Sequence, residues 1–178
     1  MSLWAVILAG GVGSRFWPIS TPALPKQLLP LVTDAPMLRD AVDRLLPLVP
    51  AERLLILTNA QLAPAIAALL PELPAANVIA EPRPAGTAAA LAWASRTVAE
   101  RAPQAVLLSV HAGWAFADGE GFRTTLLRAA NVAEAEDVLV TVGITPVRPD
   151  PGFGYIEPDG RVGQVAQKVA RFLEKPDR

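Results

Sequence analysis

The sequence predicts an α/β fold: a three-layer, doubly wound, mostly parallel sheet. Two patterns predict it. Apolar runs of strand length alternate with longer segments of helical period, the βαβα order of a parallel sheet covered on both faces. A glycine-rich turn also follows directly on the first strand run, where such sheets bring backbone close to ligands. The 178 residues suit one domain, long enough for a real hydrophobic core. With 52% hydrophobic and 19% charged residues, the composition lies far from that of disordered chains.

The elements can be read in order. Trp4 to Ala9 (WAVILA) is a first buried strand. Between Pro36 and Val49, residues Met37, Leu38, Ala41, Val42, Leu45 and Leu46 stripe one face of a helix, with Asp34 as its expected N-cap. Arg53 to Thr58 is a second strand, and Ala60 to Leu70 a helix that carries Pro64 in its first turn. Asn77 to Ala80 is a short strand; Gly86 to Arg101 is a helix of small residues suited to lying close against the sheet. Ala105 to Val110 is a strand, Gly121 to Ala135 a helix, and Val138 to Gly143 (VLVTVG) another strand. After Pro149 the texture changes to PGFGYIEPDG and KVARFLEKP, which reads as a hairpin or meander rather than another βα unit.

Composition also excludes classes. The chain has no cysteine, so it has no disulfide framework, thiolate metal site or thiol nucleophile, and a cytoplasmic location is the expectation. A formal charge of −1 offers no basic face to nucleic acid. The 18 prolines are about twice the usual share, and their spacing leaves no room for a membrane span. The N-terminal MSLWAVILAGG has no basic residue ahead of its apolar run, so it reads as a strand rather than a signal peptide. Of the 16 basic residues only Lys26, Lys168 and Lys175 are lysines. In a chain that otherwise prefers arginine, each lysine needs a reason.

The first chemical candidate is Gly10-Gly11-Val12-Gly13-Ser14-Arg15. A glycine turn after a parallel strand lets phosphates approach the backbone, with N–H groups available to them. Neither common template fits: no Lys follows as in a P-loop, and Phe16 stands where the dinucleotide fingerprint needs a small residue. A plain tight turn stays open on this ground alone, although Arg15 ends the loop with a fork suited to phosphate. The second candidate is Lys26 in Pro25-Lys26-Gln27, the only lysine before Lys168. It is either a solvated loop charge or a mobile ammonium that reaches the same phosphates.

Taken together, VILAGGVGSRFWP (Val6 to Pro18) and PKQ (Pro25 to Gln27) resemble the opening of sugar-1-phosphate nucleotidyltransferases, and the FWP ending resembles mannose-1-phosphate guanylyltransferases. PML (Pro36 to Leu38), EP (Glu81, Pro82), GI-x-P-x-x-P (Gly143 to Pro149), GFGYIE (Gly152 to Glu157) and FLEKP (Phe172 to Pro176) follow in family order. The resemblance implies a Rossmann-like nucleotidyltransferase domain over residues 1–178, short of the C-terminal part of the family's catalytic domain. It implies GTP or another nucleoside triphosphate and mannose 1-phosphate or another hexose 1-phosphate as partners, with GDP-mannose or a related nucleotide sugar as product. Arg15 and Lys26 are then catalytic. Gly10, Gly11, Gly13, Ser14, Arg15, Glu81 and Thr87 bind the nucleotide, and Gly154, Tyr155, Glu174 and Lys175 bind the sugar phosphate.

The departures are equally specific. The family's Mg²⁺-binding Asp precedes a His, and here Leu108-Ser109-Val110-His111 puts Val110 at that place. Mg²⁺ is therefore expected by family while its protein ligand is absent, since valine offers no hard oxygen. His111 reads as a hydrogen-bonded structural residue, and nothing places Asp118 in the vacant role. Gly86-Thr87-Ala88-Ala89 replaces the family's Asn-Thr-Ala-Pro, which leaves the base less constrained. Two alternatives stay open beside a guanylyltransferase of impaired activity: another base or sugar specificity, and a non-catalytic nucleotide-binding or regulatory homologue. A homo-oligomer also stays open.

Overall fold

A computed structural model describes residues 1–178 except Val12, Gly163, Gln164 and Arg178, with the backbone alone for Arg15. The chain forms two compact units, 1–123 and 124–178. The elements are β1 (Ser2–Leu8), α1 (Met37–Leu45), β2 (Leu54–Asn59), α2 (Ala63–Leu69), β3 (Val78–Glu81), α3 (Thr87–Arg101), β4 (Ala105–His111), α4 (Gly119–Glu136), β5 (Gly154–Val162) and β6 (Ala166–Glu174).

In the first unit β1 to β4 make one parallel sheet in the order β3-β2-β1-β4. The strands are as apolar as the sequence suggests because they are covered on both faces. Trp4 and Val6 of β1 with Leu55 and Leu57 of β2 pack under Ala90, Ala94 and Val98 of α3. The small α3 side chains sit at i, i+4 and i+8, which makes one narrow stripe that allows close approach. Alternation sends Ala5, Ile7, Leu54 and Ile56, all fully buried, to the opposite face. α1 packs against β1, with Leu38, Val42 and Leu45 fully buried. Behind the amino ends of the strands, Asn77 Nδ2 donates to the carbonyls of Glu52 and Leu54 at 3.0 Å each, and Arg101 Nη1 donates to Asn77 Oδ1 at 2.7 Å.

The expected α1 cap is corrected. Pro36 immediately precedes the helix, and no side chain caps it. Proline at φ −54° turns the chain into α1, which leaves Asp34 outside the cap position. The tether is instead Thr33, whose hydroxyl donates to the Asp40 carboxylate at 2.8 Å.

The second unit contains α4 from Thr124 onward and the antiparallel hairpin β5-β6. The hairpin is as expected, with register shifts at Glu157/Pro158 and Asp159/Arg161. The strand expected over Val138 to Gly143 is not formed. A strand exists only within a ladder, and no described strand pairs with this run. Leu139 is fully exposed at 103%. Strand-forming residues alone do not make a strand, because β-propensity reflects packing against neighbours.

Candidate functional site

In the order β3-β2-β1-β4 the chain winds outward from β1 to β3, then crosses back through α3 to place β4 on the other side of β1. The reversal opens a crevice at the carboxyl ends of β1 and β4, the switch point where open α/β sheets bind ligands. The structure has a cleft of about 250 Å3 there, lined by Leu8, Ala9, Gly11 and Gly13 after β1, by Lys26 and Gln27, and by the His111–Trp114 turn after β4. Ladder bonds extend past the strand ends on both sides of β1: Ala9 N donates to Leu57 O at 2.7 Å and Ala112 N to Leu8 O at 3.1 Å. The cleft floor is therefore rigid sheet.

The glycines are used where side chains cannot go. Gly13 has φ +66°, and a Cβ there would lie 3.0 Å from Lys26 N, so the loop and the Lys26 segment touch backbone to backbone. A methyl group at Gly113 would collide with Lys26 Cε and Nζ. The ammonium thus crosses the cleft from the β1 side to the β4 turn, and it stands 5.5 Å from the Phe16 ring centroid. Among the described residues that line the cleft, Lys26 is the only charged group, counting His111 as neutral. A concave site with one ammonium, glycine backbone and no carboxylate suits an anion.

His111 differs from its expected hydrogen-bonded role. Its ring bonds to no described residue but packs on Trp114, with centroids 4.9 Å apart, at the edge of the cleft. Its pKa lies below the ordinary imidazole value, first because burial disfavours the charged form and second because the Lys26 ammonium repels it. Sequence reasoning placed His111 beside the family's metal position but had no signal for Gly113 and Trp114 as cleft residues, since only the β1-β4 pairing brings them to the glycine loop. Gln27 was visible beside Lys26 without a role.

Of the expected nucleotide residues, the structure brings Gly10, Gly11, Gly13 and Glu81 together, with the expected catalytic Lys26 against Gly13. The Glu81 carboxylate ends β3 and would lie 3.3 Å from a Cβ at Gly10. Ser14 opens the short 3₁₀ turn Ser14–Phe16; the Arg15 side chain lies outside the described residues. Thr87 is the exposed first residue of α3. In the second unit Gly154 pairs with Glu174 in the hairpin ladder, and a Cβ at Gly154 would lie 3.0 Å from Glu174 Oε2. Lys175 Nζ pairs with Glu174 at 3.1 Å. The Tyr155 hydroxyl donates to Asp150 O at 3.0 Å and accepts from Asp150 N at 2.7 Å, closing the turn before β5. Gly154, Tyr155, Glu174 and Lys175 therefore share one end of the hairpin.

The residues at the expected Mg²⁺ position do not fit the ion. Val110 is 3% exposed and paired with Ile7, so a buried isopropyl group occupies the end of β4 where an oxygen ligand is needed. Asp118 is engaged elsewhere, accepting from Gly121 N at 2.8 Å at the start of α4. Among the described residues no three of His, Asp and Glu are grouped to hold a metal.

Fold and cleft define an α/β protein with an anion-suited cleft at its switch point, and the chain belongs to the Nucleotidyl transferase family, which it matches over residues 4–178. Within that family it is similar to mannose-1-phosphate guanylyltransferases. The Escherichia coli (strain K12) protein of that name is 37% identical over 98% of this chain and 38% of its own length. The one from Sinorhizobium fredii is 35% identical over 96% of this chain and 34% of its own. The chain thus spans well under half the length of these curated relatives. Among solved structures, one described as mannose-1-phosphate geranyltransferase from Thermus thermophilus superposes with a TM-score of 0.87 at 32% identity, covering 99% of this chain and 51% of that one. A putative glucose-1-phosphate thymidylyltransferase from Bacillus anthracis shares the fold, with a TM-score of 0.70 at 22% identity. No helix among the described residues is long and apolar enough to cross a membrane.

Proposed function

We propose that the chain binds GTP in the cleft between β1 and β4 and mannose 1-phosphate at the Gly154–Lys175 end of the hairpin, as part of a mannose-1-phosphate guanylyltransferase. The observation that carries this is the cleft itself, which among the described residues has glycine backbone on one wall, a single ammonium across it and no carboxylate in its lining. In the reaction, a phosphate oxygen of the sugar phosphate bonds to the α-phosphorus of the triphosphate. The bond to the β-phosphate bridging oxygen breaks, and its electron pair leaves with pyrophosphate. Protein groups contribute by positioning and by neutralising charge. The glycine loop and Lys26 hold the triphosphate, Arg15 has the role of neutralising the leaving phosphates, Glu81 and Thr87 border the base, Glu174 accepts from sugar hydroxyls, and Lys175 holds the sugar's phosphate.

Val110 supports a second reading, that the chain binds nucleotide but turns over slowly or not at all, because no carboxylate of β4 organises the triphosphate. Incubation with mannose 1-phosphate, Mg²⁺ and each of four nucleoside triphosphates, followed by product analysis, decides between them. Nucleotide-sugar formation chiefly from GTP is the result the first reading requires. Binding of GTP without product favours the second, and product chiefly from another triphosphate or hexose 1-phosphate reassigns specificity. For an impaired chain, Val110→Asp tests the cause: Mg²⁺-dependent turnover that rises above the parent's ties the defect to position 110.

A further inference from the structure

The buried polar residues of the first unit are spent in an uneven way. Of the four described, Asn77 ties the amino ends of the strands, while Ser20, Gln27 and Thr58, each 3% exposed or less, all donate to the loop after β1. Gln27 Nε2 donates to Ala9 O at 2.8 Å and to Gly11 O at 2.9 Å. Both partners are carbonyl oxygens, so only the amide NH2 can make this pair. Thr58 Oγ1 donates to Ala9 O at 3.2 Å, and Ser20 Oγ donates to Gly13 O at 2.6 Å. Three separate segments thus converge on the carbonyls of alternate residues 9, 11 and 13.

A buried polar side chain is costly unless bonded, and an apolar one would fill any of these places. The donors have a directional effect instead. In a trans peptide the C=O of one residue and the N–H of the next point opposite ways. Drawing the Ala9 and Gly13 carbonyls toward these donors therefore turns the N–H groups of Gly10 and Ser14 away from Gln27, Thr58 and Ser20. The Gly10 N–H donates to no described acceptor. Glu81 borders Gly10, and of the loop glycines Gly11 and Gly13 line the cleft.

We propose that Gln27, Ser20 and Thr58 are positioning residues that hold the loop carbonyls inward, so that the loop presents N–H groups to the phosphates of the nucleotide. The proposal rests on the reading of the cleft as a phosphate site and adds what makes the loop attractive to an anion. Calorimetric titration of the full chain with inorganic tripolyphosphate, and in parallel with GTP, tests it in the parent, Gln27→Met and Ser20→Ala. Methionine keeps the volume and adds no charge. The expected result is a loss of tripolyphosphate affinity of about tenfold or more in Gln27→Met and about threefold in Ser20→Ala, near the worth of single hydrogen bonds. In the parent the Gly10 amide resonance moves downfield on saturation, and in folded Gln27→Met that movement shrinks, a readout that loss of stability alone does not mimic. Unchanged affinity in folded Gln27→Met overturns the proposal, and if that variant does not fold, unchanged affinity in Ser20→Ala does so. No tripolyphosphate binding by the parent overturns it together with the phosphate reading. The expected variant losses with GTP bound no more tightly than tripolyphosphate support it while removing the nucleotide from the reading.

Discussion

Gly13 and Gly113 approach Lys26 from opposite sides of the cleft, and their substitutions should separate stability from binding. At Gly13 the backbone is left-handed and the obstruction is the Lys26 backbone, so neither can move cheaply. Gly13→Ala is expected to cost about 1–2 kcal/mol, read as a lower midpoint of thermal unfolding. At Gly113 the obstruction is the far end of the lysine side chain, which can swing away. Gly113→Ala should leave the unfolding midpoint nearly unchanged while weakening GTP binding, because the ammonium is displaced. His111 reports on the same charge, and as the only histidine it gives one readable imidazole resonance. Lys26→Met should move its titration midpoint upward, since repulsion by the ammonium is removed. The unfolded chain protonates this histidine near pH 6.5 and the folded chain only at lower pH. Its contribution to stability is therefore fully present above about pH 6.5 and declines as pH falls from there through the folded pKa. A fully exposed histidine would leave Lys26→Met without effect on the titration.

Among the elements, the helices that cover the sheet make opposite demands. α1 fills space with Leu38, which is 0% exposed, and Leu38→Ala is expected to cost about 2–5 kcal/mol in denaturant unfolding. α3 saves space: Ala94 is fully buried against Trp4, Val6, Leu55 and Leu57. Ala94→Leu should destabilise by about 1–3 kcal/mol through overpacking although it adds apolar surface. A stabilising outcome would show that α3 does not lie close to the sheet. These stripes were legible in the sequence because helical period and strand-length apolar runs report which faces can be buried. What they do not report is whether a neighbour is present, which is why VLVTVG read as a strand and is unpaired. The Asp34 cap failed for a similar reason, since an N-cap preference says nothing about a proline between the acid and the helix.

For the molecule as a whole, function follows from strand order. The glycine loop and Lys26 were legible as a phosphate-directed pair from residue type and proximity in sequence. Of the other wall only His111 was, through the family's metal segment; Gly113 and Trp114 lie about a hundred residues later and reach the loop only through the β1-β4 ladder. Nor were the inward-turned carbonyls, because Ser20, Gln27 and Thr58 carry no motif of their own. Val110, by contrast, was legible, and its burial beside Ile7 sharpens the point that β4 presents no carboxylate to a metal. The central claim is that this cleft takes a nucleoside triphosphate through the glycine loop and Lys26. Titration of the chain with GTP by calorimetry, in the parent, Lys26→Met and the hairpin variant Lys168→Met, tests it most directly. The account predicts saturable binding that weakens by about tenfold or more in Lys26→Met and is unchanged in Lys168→Met. Equal affinity in the parent and Lys26→Met, or no binding of GTP by the parent, would contradict it.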